Sequence, residues 1–263
     1  MIRLAVSGAA GRMGARICAL AHADPRFDVV AALEATGHPD IGSRMERIAG
    51  VEGLDLPVQD RTQTECDVLI DFSLPAGTMH WLDFCLVKKC PIVIGTTGHS
   101  DEDSTQIEKA AKSIPLLKAT NMSLGVNLLF KLAGEIAGAL KEGYDIEIVE
   151  AHHRFKVDAP SGTAMTLLNE VLKATGRSRE KDVVHGRQGE TGQRPGPQIG
   201  MHALRLGDTV GEHEVFFGGL GETLSIKHTA HTRDTFAKGA LEAAAWIVKK
   251  PAGRYDMRDV LNL

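Results

Sequence analysis

The stretch Gly8-Ala9-Ala10-Gly11-Arg12-Met13-Gly14 decides how the first half of the chain is read. It follows a short apolar run at 2–7. Beyond it, Met13, Ile17, Leu20 and Ala21 are spaced to share one face of a helix. Glycines let a backbone turn sharply and approach a pyrophosphate, whose charge the free N–H groups at a helix start then bind. The spacing is GxxGxxG rather than GxGxxG, so the turn alone is also compatible with simple strand-on-helix packing. Glu34 tips the balance. It ends a second apolar run at 29–33, 20 residues after Gly14. A carboxylate there can accept hydrogen bonds from the hydroxyls of an adenosine ribose.

Working outward, apolar runs at 67–72, 91–94 and 116–119 alternate with helical patterns at 76–88 and 101–112. That alternation implies a parallel sheet covered on both faces. Residues 35–65 are polar and glycine-dotted, and read as loop with a short helix. Gly95-Thr96-Thr97-Gly98 follows the fourth strand, at the carboxyl edge where open α/β sheets take ligands. The pattern changes near residue 123. A long helix is expected over 124–140, and an alternating strand over 144–151. A helix follows over 161–174, then a loop over 176–200, with six glycines and two prolines. Strands at 201–206, 212–217 and 223–228 read as an antiparallel meander, and a last helix covers 235–249. The fold class is therefore α/β: a Rossmann-like dinucleotide-binding domain with a parallel sheet, joined to an α+β domain with a mixed, largely antiparallel sheet.

The chain has 263 residues, 43% of them hydrophobic, and a net charge of −4, with 34 acidic and 30 basic side chains. This balance argues against nucleic acid as the main partner, and no run reaches the roughly 18 apolar residues of a membrane span. The opening apolar run ends in glycines, which reads as a first strand rather than a signal peptide. The four cysteines show no CxxC pair and no zinc-like spacing to histidine, so no metal site is expected. Reduced thiols in a cytoplasmic protein are the expectation.

The segment from Glu150 to Ala164, EAHHRFKVDAPSGTA, is rich in chemistry. It starts at the end of an alternating strand and places His152, His153, Arg154 and Lys156 within five residues. It closes on Ser161-Gly162-Thr163, where Ser161 is a good N-cap and the N–H groups of Gly162 and Thr163 lie at the helix start. A helix N-terminus beside a lysine suits a carboxylate, and His152 or His153 can supply a proton near neutral pH. Neighbours on a strand face opposite ways, so the two histidines have different roles. Arg233, which closes the last strand, is a candidate anion contact or an ordinary surface residue.

With these segments in place, the chain closely resembles the 4-hydroxy-tetrahydrodipicolinate reductase (dihydrodipicolinate reductase) family over essentially its whole length. GAAGRMG at 8–14, DFSLP at 71–75, GTTG at 95–98, TNMSLGVN at 120–127, the segment 150–164 and YDMRDVL at 255–261 carry the resemblance, in order. It implies a dinucleotide domain over 1–123 completed by 234–263. It also implies a substrate domain over 124–233 that assembles a homotetramer through its sheet. Cofactor contacts are implied at Gly8, Ala9, Ala10, Gly11, Arg12, Met13, Glu34, Gly95, Thr96, Thr97, Ala119, Thr120, Asn121 and Met122. His152 takes the position of the catalytic acid/base and Lys156 that of a proton donor. His153, Lys156, Ser161, Gly162 and Thr163 take substrate-binding positions. The cofactor would be NADH, preferred over NADPH, and the substrate a small cyclic dicarboxylate. Two departures stand out: Ala35 where many members carry Arg, and Met122 where Phe is common. The alternative reading is a related dehydrogenase of another amino or keto acid with the same two-domain plan. A non-catalytic dinucleotide sensor would leave the His-Lys cluster without a role.

Overall fold

The computed structural model describes residues 1–140 and 143–263, and these fall into two compact units: Met1–Leu124 with Arg233–Leu263, and Gly125–Thr232. None of the described helices is long and apolar enough to cross a membrane.

The first unit holds β1 (Ile2–Ser7), α1 (Arg12–His22), β2 (Phe27–Leu33), α2 (Met45–Ala49), β3 (Val58–Gln59) and β4 (Val68–Asp71). It continues with α3 (Pro75–Lys88), β5 (Ile92–Ile94), α4 (Asp101–Ala110) and β6 (Pro115–Lys118). Seven parallel strands run in the order β12-β6-β5-β4-β1-β2-β3, with β12 (Gly253–Tyr255) supplied by the C-terminal segment. Successive side chains on a strand face opposite ways, and here both faces are covered. Leu4, Val6, Val68, Ile70, Val93 and Leu117 pack with Ile17 and Cys18 of α1 and with Ala240 and Ala244 of the helix Asp234–Ile247. Ala5, Leu69, Ile92, Ile94 and Leu116 point the other way, onto Trp81 and Leu82 of α3 and Ile107 of α4. The edge strands β3 and β12, of two and three residues, are too short to show a period and were not expected from sequence.

The second unit contains α5 (Leu124–Leu140), β7 (Asp145–His152), α6 (Gly162–Thr175), α7 (Arg179–Asp182), β8 (Val183–His185), β9 (Ile199–Arg205), β10 (Gly211–Gly219) and β11 (Glu222–Ala230). After it the chain re-enters the first unit through α8 (Asp234–Ile247) and, past β12, α9 (Met257–Leu261). Ile146, Ile148, Ile199, Met201, Val215 and Phe217 form one sheet face, covered by Leu129 and Phe130 of α5 and Leu167, Leu168 and Val171 of α6. Truncating the fully buried Phe217 to Ala would cost about 3–5 kcal/mol.

Two expectations fail here. The run 176–200 is not all loop, because it contains α7 and β8. The three later strands are not a meander either. The order is β11-β10-β7-β9-β8, and β9 pairs parallel with both β7 and β8. Of the three, β10 and β11 form an antiparallel hairpin, and β10 also pairs antiparallel with β7. Alternation identifies a strand but not its neighbour. The link from β9 to β10 passes over the end of β7, held there by Leu206 N–H to His152 O at 2.9 Å and Arg154 N–H to Gly207 O at 3.1 Å. The two strands therefore flank β7 instead of pairing with each other.

Candidate functional site

In the first unit the glycine turn sits between β1 and α1. Gly8 has φ +74°, and a Cβ there would stand 2.3 Å from Phe72 O; one at Gly14 would stand 2.0 Å from Gly8 O. Only glycine allows this turn to lie against β4 and its own helix. The N–H groups of Gly8 and Ala9 both donate to Leu33 O, at 2.9 and 3.1 Å, and that of Gly11 to Gly8 O at 3.0 Å. The Ala10 N–H donates to Glu34 Oε1 at 3.0 Å, and the Ala35 N–H to Glu34 Oε2 at 3.3 Å. The turn is thus shaped by its own backbone and by Glu34, while Arg12 and Met13 open α1, where N–H groups have no intrahelical acceptor. The Ala9 side chain is in the core, and Arg12 is exposed.

Along the carboxyl edge of the same sheet, Met13, Gly95, Ala119, Thr120, Asn121 and Met122 line one pocket of ≈ 190 Å³ together with Phe72 and Phe236. A Cβ at Gly95 would stand 2.3 Å from the Phe72 ring, so this glycine seats the ring that walls the pocket. Thr96 is buried and Thr97 is exposed beside it. Asp71, with no solvent exposure, accepts from Ser73 Oγ at 2.6 Å, Thr78 Oγ1 at 2.6 Å and Thr96 Oγ1 at 2.7 Å. The Ser73 N–H donates to Thr96 Oγ1 at 2.9 Å. A helix start with open N–H groups, a carboxylate at the end of β2 and an apolar-walled pocket at the strand ends fit a dinucleotide.

In the second unit the buried face of β7 continues from Ile146 and Ile148 into Glu150 and His152. Glu150 has no solvent exposure, and its Oε2 lies 2.6 Å from His152 Nδ1. Arg205 of β9 donates to both Glu150 oxygens at 2.9 Å, and the Ser161 N–H donates to Oε1 at 3.1 Å. Burial pushes the Glu150 carboxyl up, but hydrogen bonds from His152 and Arg205 outweigh it and hold the group at about 2. From β10, His213 packs edge-on to His152, with ring centroids 5.2 Å apart, and its Nε2 lies 3.1 Å from Ser161 Oγ. Burial, helped by the neighbouring His152, pushes His213 down to about 3, so it is neutral. Ser161 caps α6, its Oγ accepting from the Ala164 N–H at 3.2 Å. Gly162 is exposed at the helix start and Thr163 is nearly buried beside it. Lys156 Nζ donates to Asp158 Oδ1 at 2.8 Å, and its N–H to His153 O at 3.1 Å, which folds the loop back on itself.

The chain matches the family model described as dihydrodipicolinate reductase, N-terminus, over residues 2–122, and that described as dihydrodipicolinate reductase, C-terminus, over residues 125–261. It belongs to the dihydrodipicolinate reductase family. Among curated family relatives, the 4-hydroxy-tetrahydrodipicolinate reductase of Geotalea uraniireducens (strain Rf4) is 44% identical, covering 100% of both chains. The protein of the same name from Thiobacillus denitrificans is 44% identical over 100% of this chain and 99% of its own. Among solved structures, a dipicolinate-bound dihydrodipicolinate reductase from Paenisporosarcina sp. TG-14 shares the fold, with TM-score 0.76, 24% identity and 97% of each chain covered.

Asp71, Phe72, Phe236, Glu150, Arg205 and His213 belong to these sites without a role expected from the sequence. Glu150 carried a usable signal, since it lies two residues before His152 on an alternating strand and so shares its face. Arg205 and His213 carried none, because their nearness depends on which strands flank β7.

Proposed function

We propose that this reductase-family chain catalyses the NAD(P)H-dependent reduction of 4-hydroxy-tetrahydrodipicolinate to tetrahydrodipicolinate, a step in the diaminopimelate route of lysine biosynthesis. The observation that carries the reading is the 44% identity, over 100% of both chains, to a protein named for that activity. It acts in the cytoplasm as a homotetramer associated through the sheet of the second unit, which makes Gly125–Thr232 the substrate and assembly domain.

In the first unit the Arg12 and Met13 N–H groups bind the pyrophosphate, with Gly8, Ala9, Ala10 and Gly11 shaping their turn. Glu34 receives the ribose hydroxyls and favours NADH over NADPH, because a carboxylate repels a 2′-phosphate. Gly95, Thr96, Thr97 and the segment Ala119, Thr120, Asn121 and Met122 bound the nicotinamide end. When bound, the dinucleotide supplies a hydride at the nicotinamide C4.

In the second unit Lys156, His153 and the Ser161-Gly162-Thr163 helix start hold the two carboxylates. Lys156 Nζ protonates the departing hydroxyl, which leaves as water, while a ring carbon beside the imine gives up a proton to His152 Nε2. The resulting double bond is conjugated to the imine, and protonation activates that system toward hydride. The reduced ring then takes a proton back from the same pair of groups. No step requires a metal.

The test is loss of NADH absorbance on adding enzymatically generated substrate to the folded chain, with other keto and amino acids run in parallel. Turnover confined to the cyclic dicarboxylate is expected. Turnover of a different acid in its place would overturn the reading.

A further inference from the structure

Glu150 is a carboxylate with no exposure, enclosed by four donor atoms from three residues. They are His152 Nδ1 at 2.6 Å on its own strand, two Arg205 nitrogens at 2.9 Å from β9, and the Ser161 N–H at 3.1 Å from the start of α6. A buried anion persists only when paired and hydrogen-bonded, and the two-pronged Arg205 contact meets that need. An ionised carboxylate only accepts, so the bond to His152 must carry its proton on Nδ1. We infer that Glu150, backed by Arg205, is the positioning residue of the reaction. It fixes His152 in the tautomer that presents Nε2 as the proton-exchanging atom, and it ties that ring to the helix start that holds the substrate carboxylate.

This rests on the reading of His152 as the acid/base. The geometry around Nε2 agrees with it. A Cβ at Gly211 would stand 3.2 Å from Nε2, so the glycine opposite on β10 leaves that nitrogen room. When Nε2 takes a proton, the ring becomes a cation beside a fixed anion, and the proton is held without any movement of the site. Around this pair stand Arg205 of β9, on both Glu150 oxygens at 2.9 Å, His213 of β10, which is neutral, and Lys156 and Asp158 of the following loop, which pair with each other at 2.8 Å. One residue also serves both functions of the site. Oε2 faces the histidine and Oε1 faces Ser161, whose Oγ caps α6.

The test uses the full chain. Glu150→Gln keeps the size and an acceptor but removes the charge. Its kcat should fall about 10- to 1,000-fold. The pH profile of its kcat should differ from that of the wild-type chain. Glu150→Asp should recover part of the loss, while the Kd for NADH stays within about twofold. In the wild-type chain, nitrogen NMR of labelled histidine, assigned by difference from His152→Gln, should show His152 protonated on Nδ1. That arm decides the matter if Glu150→Gln does not fold. A wild-type kcat and pH profile in folded Glu150→Gln, or a bare Nδ1 in the native protein, would overturn the inference. If instead His152→Ala kept full turnover, the acid/base reading would fail while the NMR arm still tested the tautomer.

Discussion

Thr96 Oγ1 donates to Asp71 Oδ2 at 2.7 Å, a bond buried at both ends that joins the end of β4 to the loop after β5. With Ser73 and Thr78 on the same carboxylate, Asp71 fixes two loops at the edge where the dinucleotide is proposed to bind. Asp71→Ala removes the acceptor shared by three hydroxyl groups, of which Ser73 and Thr78 keep only long contacts to Leu74 O, and should cost roughly 2–4 kcal/mol, given ~1–3 kcal/mol for a buried group left unpaired. Thr96→Val removes one donor from the carboxylate and should raise KM for the dinucleotide more than for the dicarboxylate. Urea unfolding and steady-state kinetics measure the two effects. An Asp71→Ala chain as stable as wild type would contradict the clamp.

Lys156→Ala should retain the native melting temperature, while His152→Ala, which takes a donor from the buried Glu150, should still fold but melt lower; both should keep dinucleotide affinity and lose about 10²–10⁴-fold in kcat, the usual contribution of a positioned acid or base. Both side chains sit past or at the end of β7, outside the apolar core of that unit. Near-normal kcat/KM in either folded variant would remove that residue from the mechanism.

Thr163→Val keeps volume but removes a hydroxyl at the helix start. Affinity for pyridine-2,6-dicarboxylate, a planar mimic of the substrate, should drop by roughly 1.5–3 kcal/mol, the worth of a hydrogen bond to a charged group. Isothermal titration measures it, and an unchanged Kd would move the carboxylate elsewhere.

His213 gives the protein an acid-sensitive core. Its value is pushed from the ordinary 6.5 to about 3 in the folded chain, so between those limits the unfolded state binds a proton that the folded state does not. Stability is therefore full above about pH 6.5 and falls as pH drops toward 3. Glu150, depressed from 4.5 to about 2, adds a loss of the same sign lower down, as pH falls through that interval. Urea unfolding at pH 7, 5.5 and 4 should show the decline, and His213→Gln should flatten its upper part. A wild-type chain equally stable at all three values would show that His213 is not held neutral.

Ala35 is exposed beside Glu34, whose carboxylate already holds the glycine turn. Ala35→Arg should shift kcat/KM toward NADPH by a few-fold, since an exposed charge contact is worth about 0.2–1 kcal/mol. The shift should be larger at low salt, where screening is weaker. Comparing both cofactors at two ionic strengths checks it. A wild-type chain clearly faster with NADPH would mean that another basic residue reaches the 2′-phosphate.

The sequence by itself determined the elements whose chemistry is local. The Gly8–Gly14 turn, the apolar strands of the first sheet and the Ser161 cap are written in residue type and period, because turn geometry, strand alternation and capping act within a few residues. It also gathered His152, His153, Arg154 and Lys156 into one cluster before the Ser161 helix start. Only the tertiary structure decided strand neighbours. The two-residue β3 and three-residue β12 have too few side chains to show a period, and β9 and β10, which the sequence reads as part of a meander, flank β7. That choice of neighbours brings Arg205 and His213, 55 and 63 residues beyond Glu150 in sequence, to either side of Glu150 and His152. Hydrogen bonds of about 3 Å between residues so far apart depend on which strands pair, and alternation along a single strand carries no record of its partner.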